Sequence, residues 1–235
     1  MNPSGPPRDV DGAAPAAPVS LGIPAYVSPV FHPDEWAVLG RLDPGSIVVV
    51  NPDSGPSRDM ASHYGDAVRE LRDLGVRVYG YLTVSYGRRA TRDIRGDVAA
   101  YHDRLGVDGV FFDQVPSTLD DLGPSLRVAD EFRPRGCAVA LNPGQPVMPS
   151  VAFDAADQVV TFEGTYDDYV AMDLPRPAVG SAEHWHLVHG VAPEDVDAAV
   201  LRAAASGASY VFASTGHMPN PWTSMITALS REAVR

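Results

Sequence analysis

The chain carries eight short runs of β-branched, aromatic and aliphatic residues, and each ends on or beside a side chain that can hydrogen-bond. They are AYVSPV (25–30), SIVVVN (46–51), VRVYGYLTV (76–84), GVFFD (109–113), CAVALN (137–142), QVVTFE (158–163), HWHLVHG (184–190) and SYVFAST (209–215). They are almost continuously apolar and do not alternate cleanly, as expected of parallel strands covered on both faces. Between them lie stretches of helical period. In 57–75 the apolar residues Met60, Tyr64, Val68, Leu71 and Leu74 recur at spacings of three and four, and Gly75 stops the run. In 91–106 Ile94, Val98, Tyr101 and Leu105 form one stripe, and Thr91 is placed to cap its start. Segments 125–136 and 193–207 behave alike, the second opening on a proline suited to a first helical turn.

Strands alternating with helices define an α/β fold, and eight strands are the number that closes a (β/α)8 TIM barrel. An open doubly wound sheet is the competing architecture. Against it, no G-x-G-x-x-G follows the first strand and no P-loop occurs. The 235 residues suit one barrel, expected over 21–235. Residues 1–20, rich in Pro, Ala and Gly and lacking a basic start or an apolar core, read as a disordered leader and not as a signal peptide. The compartment stays open.

Composition narrows the partners. The net charge is −12, and all 18 basic side chains are Arg. A surface this acidic repels phosphate backbones and anionic lipid, so nucleic-acid and membrane-surface roles are disfavoured. No apolar run approaches the roughly 20 residues that span a bilayer. Without lysine there is no Schiff-base chemistry through a lysine amine, which lowers aldolase-type readings. The single Cys137, inside CAVAL, reads as a buried core thiol.

In barrels of this type the active site lies at the C-terminal strand ends. Read in order, those ends offer Tyr26 and Ser28, Asn51, Tyr81 and Thr83, Asp113 and Gln114, Asn142, Glu163, His189, and Ser214 with Thr215. Asp113 follows VFF and Glu163 follows VVTF, positions where an unpaired carboxylate is costly to desolvate. A single such acid is commonly an ion-pair partner or a helix cap. Two of them, on the fourth and sixth strands, can face each other across one pocket. Glycoside hydrolysis uses such a pair, retaining at about 5–5.5 Å separation and inverting at about 6.5–9.5 Å. Tyr26, Tyr81, Tyr86, Tyr166 and Trp222 fit sugar stacking, although packing within loops would equally account for each. His184 and His186 share one strand face and His189 the other. With no H-E-x-x-H and no paired C-x-x-C, no metal site and no cofactor are expected. A G-x-S-x-G elbow is also absent.

The segments IPAYVSP, VVVNPDSGP, VYGYLTVSYG, GVDGVFFDQV, ALNPG, VVTFEGTYDDY and HLVHGV, in this order over about residues 22–217, resemble the spherulation-specific family 4 (spherulin 4-like) proteins. The resemblance implies kinship with metal-independent barrel hydrolases that cleave α-1,4-linked galactosamine or N-acetylgalactosamine polymers of microbial exopolysaccharide and biofilm. Those enzymes use an Asp after strand four and a Glu after strand six. On that basis Asp113 is expected as nucleophile or charge stabiliser and Glu163 as general acid/base. Tyr26, Asn51, Tyr81, Tyr86, Gln114, Asn142 and His189 are expected to line a polysaccharide or oligosaccharide site. The chain departs from the pattern at Gln114, where hydrolytic relatives carry Glu; Gln keeps the shape and hydrogen bonding but cannot ionise. That substitution leaves a non-catalytic carbohydrate-binding barrel as the alternative.

Overall fold

In the computed structural model, which describes residues 18–144, 150–178 and 182–223, eight parallel strands form a closed barrel in sequence order. The strands are β1 Ser20–Ala25, β2 Ile47–Val50, β3 Arg77–Thr83, β4 Gly109–Asp113, β5 Ala138–Asn142, β6 Gln158–Thr165, β7 Glu183–His189 and β8 Tyr210–Ala213. The helices are α1 Pro33–Ala37, α2 Met60–Asp73, α3 Thr91–Leu105, α4 Leu119–Phe132, α5 Ser150–Ala155, α6 Tyr166–Ala171 and α7 Val196–Ser206. Closure through the β8–β1 pairing removes the open-sheet alternative.

Two expectations need correction at the N-terminal edge. The first strand is SLGIPA and not AYVSPV, so Ser20 belongs to the barrel and not to the leader, whose residues 1–17 lie outside the described ones. Gly22 and Pro24 disguise this strand as a loop, and the structure shows why each is tolerated. A Cβ on Gly22 would stand 2.3 Å from Cε2 of Trp185, so only glycine leaves room for that ring. Pro24 is in phase with Ser20, whose N–H donates across to the carbonyl of Ser209, but lies beyond Leu21, the last residue paired with β8. Its missing N–H therefore costs no ladder bond. Trp185 bridges the same short seam by donating from Nε1 to the Gly22 carbonyl at 3.0 Å. Thr91, expected as a cap, is the first residue of α3; the cap position is Ala90, with no side-chain bond. The fourth helix starts earlier than the apolar period suggested, where Thr118 accepts from the Asp121 N–H, and it carries Pro124 in its interior.

Side chains pointing into the barrel are large where their neighbours are small. Tyr79, Phe111, Trp185 and Phe212 are fully buried, while Gly22, Gly109 and Ala140 give them space. The lower end is closed by polar contacts: Tyr79 donates to Gln158 Oε1 at 2.9 Å, Gln158 donates to Glu183 at 2.7 Å, and Arg77 meets the Tyr210 hydroxyl.

One strand is irregular, and the irregularity governs the mouth. β6 pairs Val160 with Trp185 and Phe162 with His186, which leaves Thr161 as the extra residue of a bulge. Val160 packs with Phe111, Ala140, Trp185 and Leu187 inside the barrel, whereas Phe162 packs with Tyr169, Val188 and Val196 in the helix layer. In a regular strand those two residues would share a face. The bulge reverses the phase, so Glu163, paired with Leu187, faces inward.

Candidate active site

The centre is built on three adjacent strand ends. Thr83, Asp113 and Asn142 stand in register on β3, β4 and β5. Tyr81, two residues before Thr83 and on the same face, donates its hydroxyl to Asp113 Oδ2 at 2.7 Å. Asn142 Nδ2 donates both to Asp113 Oδ1 at 3.0 Å and to Glu163 Oε2 at 2.7 Å. The Gly144 N–H donates to Asn142 Oδ1 at 3.0 Å and fixes the amide's orientation. One nitrogen thus spans both acids. If each acid takes one of its two N–H bonds, which diverge by about 120°, the two oxygens lie about 5 Å apart. That spacing falls near the closer of the two carboxylate arrangements used in glycoside hydrolysis.

The two acids differ in surroundings. Burial pushes the Asp113 pKa up, against hydrogen bonds from Tyr81, the Gln114 backbone N–H and Asn142 that favour its charged form. Glu163 faces the open mouth, yet its carboxyl lies among protein groups. Burial raises its pKa, the Asn142 bond opposes this, and the charge of Asp113 adds to the rise. Asp113 therefore has three donors stabilising its anion. Glu163 has one donor and a repelling neighbour. This asymmetry favours a proton on Glu163 while Asp113 is ionised.

The loops that hold Asp113 are strained and stitched together. Ser85, Tyr86 and Gln114 all have left-handed φ values, 48°, 53° and 54°. The Tyr86 N–H donates to the Gln114 carbonyl at 2.7 Å, and Thr83 donates to Gln114 Oε1 at 2.8 Å. Gln114 braces the β3 and β4 loops, a task its neutral amide performs without placing a second charge beside Asp113.

Of the residues expected at the site, the structure brings Tyr26, Tyr81, Asp113, Asn142 and Glu163 together. The ring of Tyr26 meets Tyr81 edge-on at 5.3 Å, and its hydroxyl pKa is raised by burial and then by Asp113. Tyr86 stands on the rim, 45% exposed, with Arg88 over its ring. Asn51 accepts from the Gly55 N–H at 3.2 Å and shapes the loop after β2. His189 stands on β7, two residues beyond the partner of Glu163 and with no contact to the acid pair, edge-on to Trp222, which is buried against Phe212 and so offers no open face for stacking. Ser214 is occupied with the Pro221 carbonyl at 2.6 Å. His184 and His186 point away into the helix layer, where His186 Nδ1 meets the Tyr169 hydroxyl at 2.8 Å. Among the described residues, no three His, Cys, Asp or Glu side chains group closely enough to hold a metal ion, and no helix is long and apolar enough to cross a membrane.

Two neighbours of Glu163 escaped sequence reasoning. Asp168 and Met172 line the cleft of about 340 Å³ that Glu163 faces. Asp168 is the third residue of α6 and exchanges hydrogen bonds with Thr165, the residue that caps the helix. Met172 follows a helix too short to show a period. No local signal marks either.

Fold and centre together define an eight-stranded parallel α/β barrel with a carboxylate pair joined across one amide at its C-terminal mouth. The chain matches the sequence profile of spherulation-specific family 4 over residues 20–233, and it belongs to that family. Spherulin-4 of Physarum polycephalum is 30% identical over 156 residues, covering 64% of this chain and 46% of that protein; the shared region is thus about half the length of that relative. Among solved structures, active domain 2 of a thermostable chitinase from Pyrococcus furiosus superposes with a TM-score of 0.56 at 13% identity, covering 94% of this chain and 96% of that one. Thiamine phosphate pyrophosphorylase from the same organism gives 0.52 at 14%, covering 92% and 95%. PbGH5A, a glycoside hydrolase family 5 enzyme of Prevotella bryantii, gives 0.50 at 8%, covering 93% and 96%. At these identities the likeness is one of fold, and it is shared by proteins of different chemistry.

Proposed function

We propose that the protein is a retaining, endo-acting glycoside hydrolase, with Asp113 as nucleophile and Glu163 as general acid/base. The observation that carries this reading is the Asn142 amide nitrogen donating to both carboxylates, at 3.0 and 2.7 Å, a bridge compatible with the closer of the two carboxylate arrangements. In the first step an Asp113 oxygen attacks the anomeric carbon while Glu163 gives its proton to the departing glycosidic oxygen. The C–O bond to the leaving sugar breaks and a glycosyl–Asp113 ester forms. In the second step Glu163, now a carboxylate, takes a proton from water. The resulting oxygen attacks the same carbon and frees Asp113. Tyr81, Asn142 and the Gln114 N–H favour the charged form of Asp113 against its burial, and the upward shift of the Glu163 pKa favours the protonated form needed for the donation.

The substrate class proposed here, an α-1,4-linked galactosamine or N-acetylgalactosamine polymer, is the one that the resemblance in the sequence motifs implies. Incubation with such a polymer should release new reducing ends whose first-formed anomer keeps the α configuration by NMR. Asp113→Asn and Glu163→Gln should each lower turnover by at least about 10³-fold. No release across a panel of such polymers would remove the hydrolase reading. If the polymer then still binds, and Asp113→Asn leaves that affinity unchanged, the protein is a carbohydrate-binding barrel, the reading Gln114 favours.

A further inference from the structure

β6 continues past Glu163 to Thr165, which pairs with His189 of β7. This pair lies two residues beyond the Glu163–Leu187 pair, about 6.6 Å further toward the mouth. There the loops after β6, β7 and β8 line a second, open cavity of about 370 Å³, within the size range of small-ligand clefts. His189 is only 9% exposed. Among the described residues it has ring contact with Trp222 but no hydrogen bond, and neither ring nitrogen is sealed within protein. A buried imidazole left open toward a cavity is a donor and acceptor in wait of a partner. Tyr166 supplies a ring, Asp167 a carboxylate and His217 a second imidazole; a Cβ on Gly190 would stand 3.3 Å from the latter's Nδ1, so glycine keeps the two loops close. Burial and the nearby His217 hold the His189 pKa below its usual value, so the ring is neutral near pH 7 and can both donate and accept. Such a mixture of ring faces and neutral and charged hydrogen-bonding groups matches the apolar face and hydroxyl rim of a pyranose.

We infer that the cavity between Tyr166, His189 and His217 is a saccharide subsite on the leaving-group side of the scissile bond. The assignment of side rests on the proposed role of Glu163: the acid protonates the oxygen of the departing sugar, so the cleft beside Glu163 receives that sugar. The cavity one step outward on the same strand holds it or the next one along the chain. Its contacts are spent on a sugar that an aryl glycoside lacks.

The test compares initial rates on an α-1,4-N-acetylgalactosamine/galactosamine polymer with those on 4-nitrophenyl α-N-acetylgalactosaminide. In His189→Ala the ratio of polymer to aryl-glycoside kcat/KM should fall at least tenfold, mainly through KM. His217→Ala, at an exposed position where folding is not at risk, should move the ratio in the same direction. An unchanged ratio in both variants overturns the subsite. A second arm does not depend on turnover. A crystal of Glu163→Gln soaked with oligosaccharides of the same polymer should show a sugar ring within hydrogen-bonding distance of His189. Bound sugar elsewhere in the mouth but none in this cavity overturns the inference while leaving the hydrolase reading intact. A sugar in this cavity without wild-type turnover keeps the binding site and removes the hydrolase.

Discussion

Tyr81 and Asn142 hold Asp113 from two directions, and their removal separates holding from chemistry. Tyr81→Phe deletes a hydrogen bond that lowers the Asp113 pKa, so that pKa rises and the acid limb of kcat/KM moves to higher pH. Loss of a hydrogen bond to a charged group is worth about 1.5–3 kcal/mol, so kcat/KM at neutral pH should fall roughly 10- to 100-fold. A pH–rate profile checks this, and an unmoved acid limb would show that Asp113 is not the titrating group. Glu163→Gln should instead be read in stability, which it should raise. The folded-state pKa of Glu163 lies above its unfolded value, so the wild type gives up stability as pH rises through that folded pKa. The uncharged variant escapes this loss and should melt higher than wild type at pH 7. Below the unfolded pKa, where both states of the wild type are protonated, the gain should vanish. Thermal melts at pH 7 and pH 3.5 read the difference. Cys137 belongs to the same scale: burial pushes its thiol up to about 11, consistent with a core residue and with the reading from its apolar run.

At the scale of elements, the bulge in β6 does more for the site than any regular stretch of strand. Val160 faces the barrel, Phe162 the helices and Glu163 the barrel again, and this sequence of faces needs Thr161 to be taken out of the alternation. Deleting Thr161 should leave that alternation and the Glu163–Leu187 pairing in place but remove the local bend that aims the Glu163 carboxylate, moving it by about 1 Å or more. A misplacement of about 1 Å can cost 10²-fold in rate, so turnover should fall by at least that factor while the melting curve stays cooperative. Wild-type turnover in the deletion would show that the bulge has no part in placing the acid. The β3 and β4 loops contribute in another way. Left-handed Tyr86 and Gln114, bonded to each other, turn the chain sharply enough for the Gln114 N–H to reach back to Asp113.

For the molecule as a whole the barrel closes on a short seam, β8–β1, where Ser20–Tyr210 and Leu21–Val211 pair, as few residues as pair between β5 and β6. Trp185 compensates with its bond to the Gly22 carbonyl and with a ring that fills the space beside it. Gly22→Ala would force a Cβ into that ring, so denaturant unfolding should show a loss of about 2–3 kcal/mol, where the same change at an open strand position would gain about 0.5–1 kcal/mol. A loss under about 0.5 kcal/mol would mean that the seam holds without Trp185.

Hydrophobic period alone carried the α/β class, the eight-strand count and the polar strand ends, because each reflects a local requirement: an apolar strand must be covered, and its end must meet solvent or a pocket. The matching of Asp113 and Glu163 to a family pattern was legible for the same reason, since both follow unmistakable strands. The first strand was not, because Gly22 and Pro24 are excused by Trp185 and by the limit of β8, and those partners lie far along the chain. Nor was the inward turn of Glu163, which depends on a one-residue bulge set by pairing with β7. The bridging role of Asn142 needed tertiary structure most of all: one amide reaches two acids about fifty residues apart only after the barrel has closed, and closure is a long-range event that local sequence cannot record.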